Sequence, residues 1–203
     1  MAAKSPDRAA ETLNRIVDAG IAVFAGFGYR QASMDLFAEH ARLSRQGLYN
    51  HVANKEALFA LVVEALQQRS IASVEAEAQT SRDAGLAPPG LLAAVLAGRM
   101  RYLRDVLRGS RHMAELTDEQ GRQCGPIVAA YNEHFRQWTI GLIDGERAAD
   151  RLILRPEITS AELADDSRCI ALGVLHALPE ASFQDYRDRI ERILTRLING
   201  GRP

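Results

Sequence analysis

Apolar residues recur along the chain at intervals of three and four rather than two, which predicts helices throughout and no strand. A first helix is expected over residues 8–27, with Leu13, Ile16, Val17, Phe24 and Phe27 on one stripe and Gly28 as a left-handed C-cap. Ser33 is placed to cap a short second helix carrying Met34, Phe37, Ala38 and Ala41. Ser44 would cap an equally short third helix, and Asn54 opens a long fourth that reaches about Thr80. The run SRDAGLAPPG, residues 81–90, holds Gly and Pro too densely to continue it. Beyond that break the pattern predicts helices over residues 91–107, 126–150, 161–178 and 183–198, with a short one near Met113. A loop is expected around Pro156, and Pro179 should force a corner between the last two helices.

The expected fold class is therefore all-α with about nine helices: an N-terminal three-helix unit joined by a long helix to a C-terminal helical bundle. The expected division is residues 1–60 and 61–203. The second and third helices, separated by a tight turn, have the proportions of a helix-turn-helix over about residues 33–52, whose second helix enters the major groove of DNA. With Leu43, Gly47 and Leu48 facing inward, Arg45, Gln46, Asn50 and His51 are left outward. Arg carries paired donors, and Gln and Asn a donor beside an acceptor, that match base edges. Gly47 would let the helix backbone approach the duplex or its neighbour closely. A solvated polar face on a surface helix accounts for the same pattern, and spacing alone does not separate the two.

Lys55 shifts the balance. It stands directly after the Asn54 cap, where the helix dipole is already positive and a cation costs about 0.3 kcal/mol. A phosphate there would gain from the free backbone N–H groups, the dipole and the ammonium together. Tyr49, one turn earlier, can offer its hydroxyl to the same strand while its ring packs inward. On this reading Lys55 is misplaced for stability and retained for DNA.

Bulk properties constrain this picture without deciding it. A chain of 203 residues with 47% apolar content can build a buried core. Its net charge is −1, with seven Lys/Arg against six Asp/Glu in residues 1–60, so a nucleic-acid claim rests on placement and not on overall charge. Lys4 and Lys55 are the only lysines, which makes the second conspicuous. Cys124 and Cys169 lack the spacing of a zinc site or a disulfide framework, so no metal is expected and both read as buried thiols. No stretch approaches the roughly 20 uninterrupted apolar residues of a membrane span, and MAAKSPDRAAE lacks the apolar centre of a signal peptide, so a cytoplasmic protein with no membrane partner is expected.

The segment from Ile16 to Phe59, with AVFAGFGYRQASM and LFAEHARLSRQGLYNHVANKEALF, closely resembles the N-terminal domain of the TetR family of transcriptional regulators. The resemblance rests on Phe24, Gly28 and Tyr29 closing the first helix, Ser33, Ala38 and Ser44, the pair Leu48-Tyr49, and Lys55, Glu56 and Leu58. It implies a dimeric, ligand-responsive DNA-binding regulator, most simply a repressor on a palindromic operator. Its DNA-binding set would be Ser33, Ser44, Arg45, Gln46, Gly47, Tyr49, Asn50, His51 and Lys55. Three positions depart from the family pattern: Arg42 where the turn usually has Gly, Gln46-Gly47 for the usual Gly-Thr, and Val52 for the usual Phe. The missing Thr removes a phosphate contact that the family normally makes.

For residues 61–203 the resemblance implies a bundle that binds a small molecule and dimerises through its last two helices, with no cofactor. The final helix carries Phe183, Tyr186, Ile190, Ile193, Leu194 and Leu197 on one stripe, and the one before it has Ile170, Gly173, Val174 and Ala177, small enough for close approach. Plain intrachain core gives the same stripe. Pocket candidates are Tyr131, His134, Phe135 and Trp138 on one face, with Arg99 and Tyr102 on the helix over residues 91–107. Arg99 lies on an otherwise apolar stripe, so its head is expected to reach solvent along its stem. Two further readings stay open: a helical enzyme using Cys124 or His134, and an interaction module that has lost DNA binding. The enzyme lacks any phosphate loop, nucleophile elbow or paired carboxylates in the sequence.

Overall fold

The computed structural model describes residues 6–107, 109–178 and 181–199. Pro179 and the corner expected there lie outside them, as do Lys4 and the rest of the first five residues. Among the described residues the fold is all-α: α1 (Pro6–Gln31), α2 (Met34–His40), α3 (Arg45–Tyr49), α4 (Lys55–Asp83), α5 (Pro88–Val106), α6 (Met113–Ala148), α7 (Ser160–Ala177) and α8 (Phe183–Ile198). Eight helices stand where nine were expected, because the short helix near Met113 and the one opening at Pro126 are a single α6. Pro126 is exposed, so water can take the carbonyl that its missing N–H leaves free. Leu116, Cys124, Ile127 and Val128 meanwhile keep one face of α6 on the same core. α5 also begins earlier than predicted: Pro88 and Pro89 occupy its first turn, where proline's fixed φ is tolerated.

The chain divides into two compact units, residues 1–68 with 105–130, and residues 69–104 with 131–203. The core of the first is aromatic at its centre. Phe24 meets Phe37 at 4.9 Å and Phe59 at 5.0 Å between ring centroids, and Tyr29 meets Phe59 at 5.1 Å. Val52, smaller than the usual Phe, is still buried beside them. Of the expected α1 stripe, Ile16, Val17 and Phe24 are buried, whereas Leu13 and Phe27 are each 38% exposed. Gly28 breaks the first helical run where the C-cap was expected, with positive φ but without the ψ of a left-handed cap. It kinks the helix at φ 76°, ψ 171°, and the helix resumes to Gln31. A Cβ there would lie 2.4 Å from the Glu115 carboxylate and 2.6 Å from the His112 ring, so both conformation and space require glycine.

The second unit is built mainly from aliphatic side chains. Leu91, Leu92, Val95, Ile143, Leu163, Ile190 and Leu194 form its centre, and Ala93 and Ala97 bring α5 in closely. Tyr186 of α8 donates to the carbonyl of Ala171 in α7 at 2.7 Å, and burial pushes its hydroxyl up to about 12. Glu146, 4% exposed, accepts from Arg151 at 2.6 Å and from Arg82 at 3.4 Å, tying the end of α6 to the last turn of α4. These guanidinium groups, Arg151 first, hold its carboxyl below the usual range.

By length and composition α4 is apolar enough to cross a bilayer. That apolarity is accounted for by burial: Leu58, Phe59, Val62 and Val63 lie in the first core, and Ile71, Val74 and Ala78 in the second. Cys124 is buried as expected, but Cys169 is exposed, because it falls on the outer side of α7.

Candidate functional site

The helix-turn-helix is set by two serine caps. Ser33 accepts from the Leu36 N–H at 3.4 Å and Ser44 from the Gly47 N–H at 3.0 Å, each satisfying a donor that a helix start leaves free. Between them the chain turns at Arg42, whose φ of 54° is the left-handed conformation that glycine adopts without cost. Backbone bonds from Arg42 to Glu39 and from Leu43 to Ala38 close the turn. Leu48 is fully buried and anchors α3, which leaves Arg45, Gln46 and Asn50 exposed on its other side.

These outward side chains are paired with one another. Arg45 Nη1 donates to both oxygens of Asp35 at 3.0 Å, and its guanidinium carbon lies 5.8 Å from the centre of the Tyr49 ring. The phenol and the carboxylate together hold the guanidinium above its usual range, Tyr49 contributing most. Gln46 donates to Asn50 one turn on at 3.3 Å. Tyr49 is 37% exposed, so its ring does not pack fully inward as expected. A Cβ on Gly47 would lie 3.1 Å from the Ser44 hydroxyl, so glycine here leaves room for the cap. His51 and Asn50, with Gly47, line a groove of about 500 Å³ whose other wall is Arg8, Thr12 and Arg15 of α1.

Lys55 overturns the expectation that it is misplaced for stability. Its ammonium donates to the carbonyls of Tyr29 at 3.0 Å, Ala32 at 3.1 Å and Arg30 at 3.5 Å, and stands 4.6 Å from the centre of the Tyr29 ring. Those carbonyls belong to the short turn that follows the Gly28 kink, just ahead of the Ser33 cap of α2. The lysine that opens α4, after the Asn54 side chain has capped the Ala57 N–H, therefore closes α1. The sequence hides this because the partners lie more than twenty positions away.

The second unit brings only part of the expected pocket together. Arg99 does not escape to solvent. It is 7% exposed, donates to Asn132 at 3.0 Å and lies 4.5 Å above the Phe135 ring. Burial, with some help from Arg168, lowers its guanidinium to about 10. Phe135 stacks on Trp138 at 6.1 Å, and Tyr131 packs half-buried against the same core. Tyr102 is half-buried. His134 is exposed and does not share this face, since its position on α6 turns it away from the buried Phe135. Asp35 and Asn132 escaped the sequence reading: each meets its arginine only across a turn or between helices.

The comparisons agree with this architecture. Residues 16–62 match the family described as bacterial regulatory proteins, tetR family. The A-factor receptor protein of Streptomyces griseus is 29% identical over 145 residues, which is 61% of this chain and 51% of that protein. The chain thus spans about half the length of that curated relative. Among solved structures, a protein of Mesorhizobium loti MAFF303099 assigned to the TetR-family transcriptional regulators superposes with a TM-score of 0.73 at 19% identity, covering 95% of this chain and 98% of that one. A structure concerned with control of antibiotic production by a bacterial hormone gives 0.67 at 20% identity, covering 93% and 97%. Residues 16–62 thus match the tetR family of bacterial regulatory proteins, and the chain shares its all-helical fold with these solved structures.

Proposed function

We propose that the chain is a ligand-responsive transcriptional regulator, acting as a dimeric repressor that binds a palindromic duplex operator and releases it when a small molecule binds. The observation that carries this reading is the Ser44-capped α3, which keeps Leu48 in the core and presents Arg45, Gln46 and Asn50 on an exposed face. Arg45 and Gln46, at its first turn, reach base edges, with Asn50 behind them. Ser33 and Ser44 accept backbone N–H bonds and keep their own O–H to give to phosphates. Gly47, Tyr49 and His51 follow the same strand, and Lys55 adds its charge at the start of α4 while closing α1.

A palindrome needs two recognition helices, and the last two helices supply a surface for a second copy. Leu172 and Leu178 are 46% and 43% exposed, and Ile170, Gly173 and Ile193 line a groove of about 590 Å³ bordered by Arg189 and Arg192. For the effector, the support is the Arg99, Asn132, Phe135 and Trp138 group, polar donors set in an aromatic wall. A relative named as a receptor and a fold neighbour studied for hormone control favour a diffusible organic signal as its class. The enzyme alternative gains nothing here. Burial pushes the Cys124 thiol up and away from a reactive thiolate, and His134 stands in solvent.

The test is selection of duplex DNA from a random pool by the full chain, followed by titration across salt. A retained palindrome with half-site centres about 34–36 Å apart is expected, with affinity falling steeply as salt rises. Retention of no duplex at low salt rejects the reading.

A further inference from the structure

Arg45 is held before any DNA arrives. Asp35 lies in the first turn of α2, ten positions earlier, and takes one guanidinium nitrogen on both of its oxygens at 3.0 Å. The Tyr49 ring stands on the other side, 5.8 Å from the guanidinium carbon. The bridge thus links the two helices of the helix-turn-helix through the side chain best suited to read guanine.

Stability explains an acid at this place only through the dipole of α2, and not its bridge to Arg45. The two side chains are 62% and 65% exposed, and pairs so well solvated contribute little to folding. A carboxylate on a face that approaches phosphates also opposes binding to any duplex. An acid in the first turn of α2 does favour the helix dipole, but that benefit is open to either acid and does not require Arg45 as a partner. What the bridge does supply is orientation. An arginine reads guanine by two parallel N–H bonds from one edge of its planar head. With Nη1 taken by Asp35 and the Tyr49 phenol also hydrogen-bonded to the guanidinium, the head is held in one orientation and kept from swinging to a phosphate.

We propose that Asp35 is a positioning residue for sequence selectivity: it fixes the Arg45 guanidinium toward one base pair of each half-site and gives up non-specific affinity to do so. This rests on the reading of α2 and α3 as a DNA-binding pair. It assigns the acid a role in discrimination that no account of α2 as a scaffold would give it.

The experiment uses the full chain as wild type, Asp35→Asn, Asp35→Glu and Arg45→Ala, each checked for helix content by circular dichroism. Each is put through duplex selection from a random pool and titrated against one non-specific duplex over a range of potassium chloride. Asp35→Asn keeps the side chain's shape and its place near the α2 cap, so it isolates the charge. The expected result is that Asp35→Asn and Arg45→Ala flatten preference at the same half-site position, by about tenfold. Asp35→Asn should also tighten non-specific binding, with the slope of log affinity against log salt steeper by about one as the released arginine finds a phosphate. Asp35→Glu should retain preference at that position in part. The proposal is overturned if Asp35→Asn selects the wild-type sequences, if its losses spread evenly over the half-site, or if Arg45→Ala leaves preference unchanged. A wild type that retains no duplex overturns the DNA-binding reading itself, and is told apart from these outcomes because it needs no variant.

Discussion

The two units place their polar chemistry in opposite ways. In residues 1–68 with 105–130, the core is closed by aromatic rings, and the chemistry sits outside, on Arg45, Gln46, Asn50 and the caps that shape them. In residues 69–104 with 131–203, the core is mainly aliphatic, with Phe135 and Tyr186 within it, and the notable polar groups, Arg99 and Glu146, are buried. An outward site can be written as a motif, because exposed side chains a few positions apart do the work. An inward site is assembled from distant helices, and its polar members must each find a partner in the fold.

The comparison is tested most strongly by emptying one core. Phe37 is fully buried and in ring contact with Phe24, so Phe37→Ala should cost about 3–5 kcal/mol. Segment-resolved hydrogen exchange should show protection lost in α1 to α3 while α7 and α8 keep theirs. Equal loss in all of them would mean that the units melt as one and that the contrast is only one of composition.

The buried carboxylate gives the next largest effect. Glu146→Gln should lower stability by about 1–3 kcal/mol, since Arg151 and Arg82 lose a charged acceptor that is 4% exposed. The folded-state value is depressed, so the contribution is full above the ordinary carboxyl value of 4.5 and is lost as pH falls through the folded value. Denaturant unfolding of wild type and variant should therefore differ at neutral pH and converge in acid. A gap that stays constant with pH would show that packing, and not the charge, is what the substitution removes.

What the sequence could reveal follows this contrast. The helical period, the caps at Ser33, Ser44 and Asn54, and the Leu48 anchor are local features and were legible. The continuity of α6 through Pro126 was not, because a proline reads as a start or a break until the burial on either side of it is known. The interior place of Arg99 is hidden in the sequence for a related reason. An arginine on an apolar stripe escapes by default, and only Asn132 and the Phe135 ring, fixed by tertiary packing, give it an interior place. Asp35 reads as an ordinary first-turn acid until α3 folds back beside it.

Lys55 belongs to both sides of the comparison, being part of an outward motif yet bonded to backbone inside its own unit. Lys55→Ala frees three carbonyls in the turn after the Gly28 kink and should cost about 1–2 kcal/mol. It should also lower the salt slope of DNA binding by about one. A loss of stability with an unchanged slope would confine Lys55 to closing α1, and the outward motif would lose its last member.

The smallest effect lies in two turns that match across the units. α2 ends in a turn with Arg42 at φ 54°, and α6 ends in one with Asp150 at φ 56°. Both close with the same pair of backbone bonds: from Arg42 to Glu39 and Leu43 to Ala38, and from Asp150 to Arg147 and Arg151 to Glu146. Glycine at either position would relieve a left-handed strain of about 1–2 kcal/mol, less for aspartate, whose short polar side chain tolerates this conformation. Against that relief stands the greater freedom of glycine in the unfolded chain, worth about 0.5–1 kcal/mol. The balance predicts that Arg42→Gly raises stability by roughly 0.5 kcal/mol, whereas Asp150→Gly leaves it unchanged or slightly lower. Thermal unfolding of the two variants beside wild type measures the difference directly. If Arg42→Gly instead lowers the midpoint, the Arg42 side chain must contribute to the folded unit more than its backbone costs, and the turn between α2 and α3 would be stabilised by a residue that the family pattern replaces with glycine.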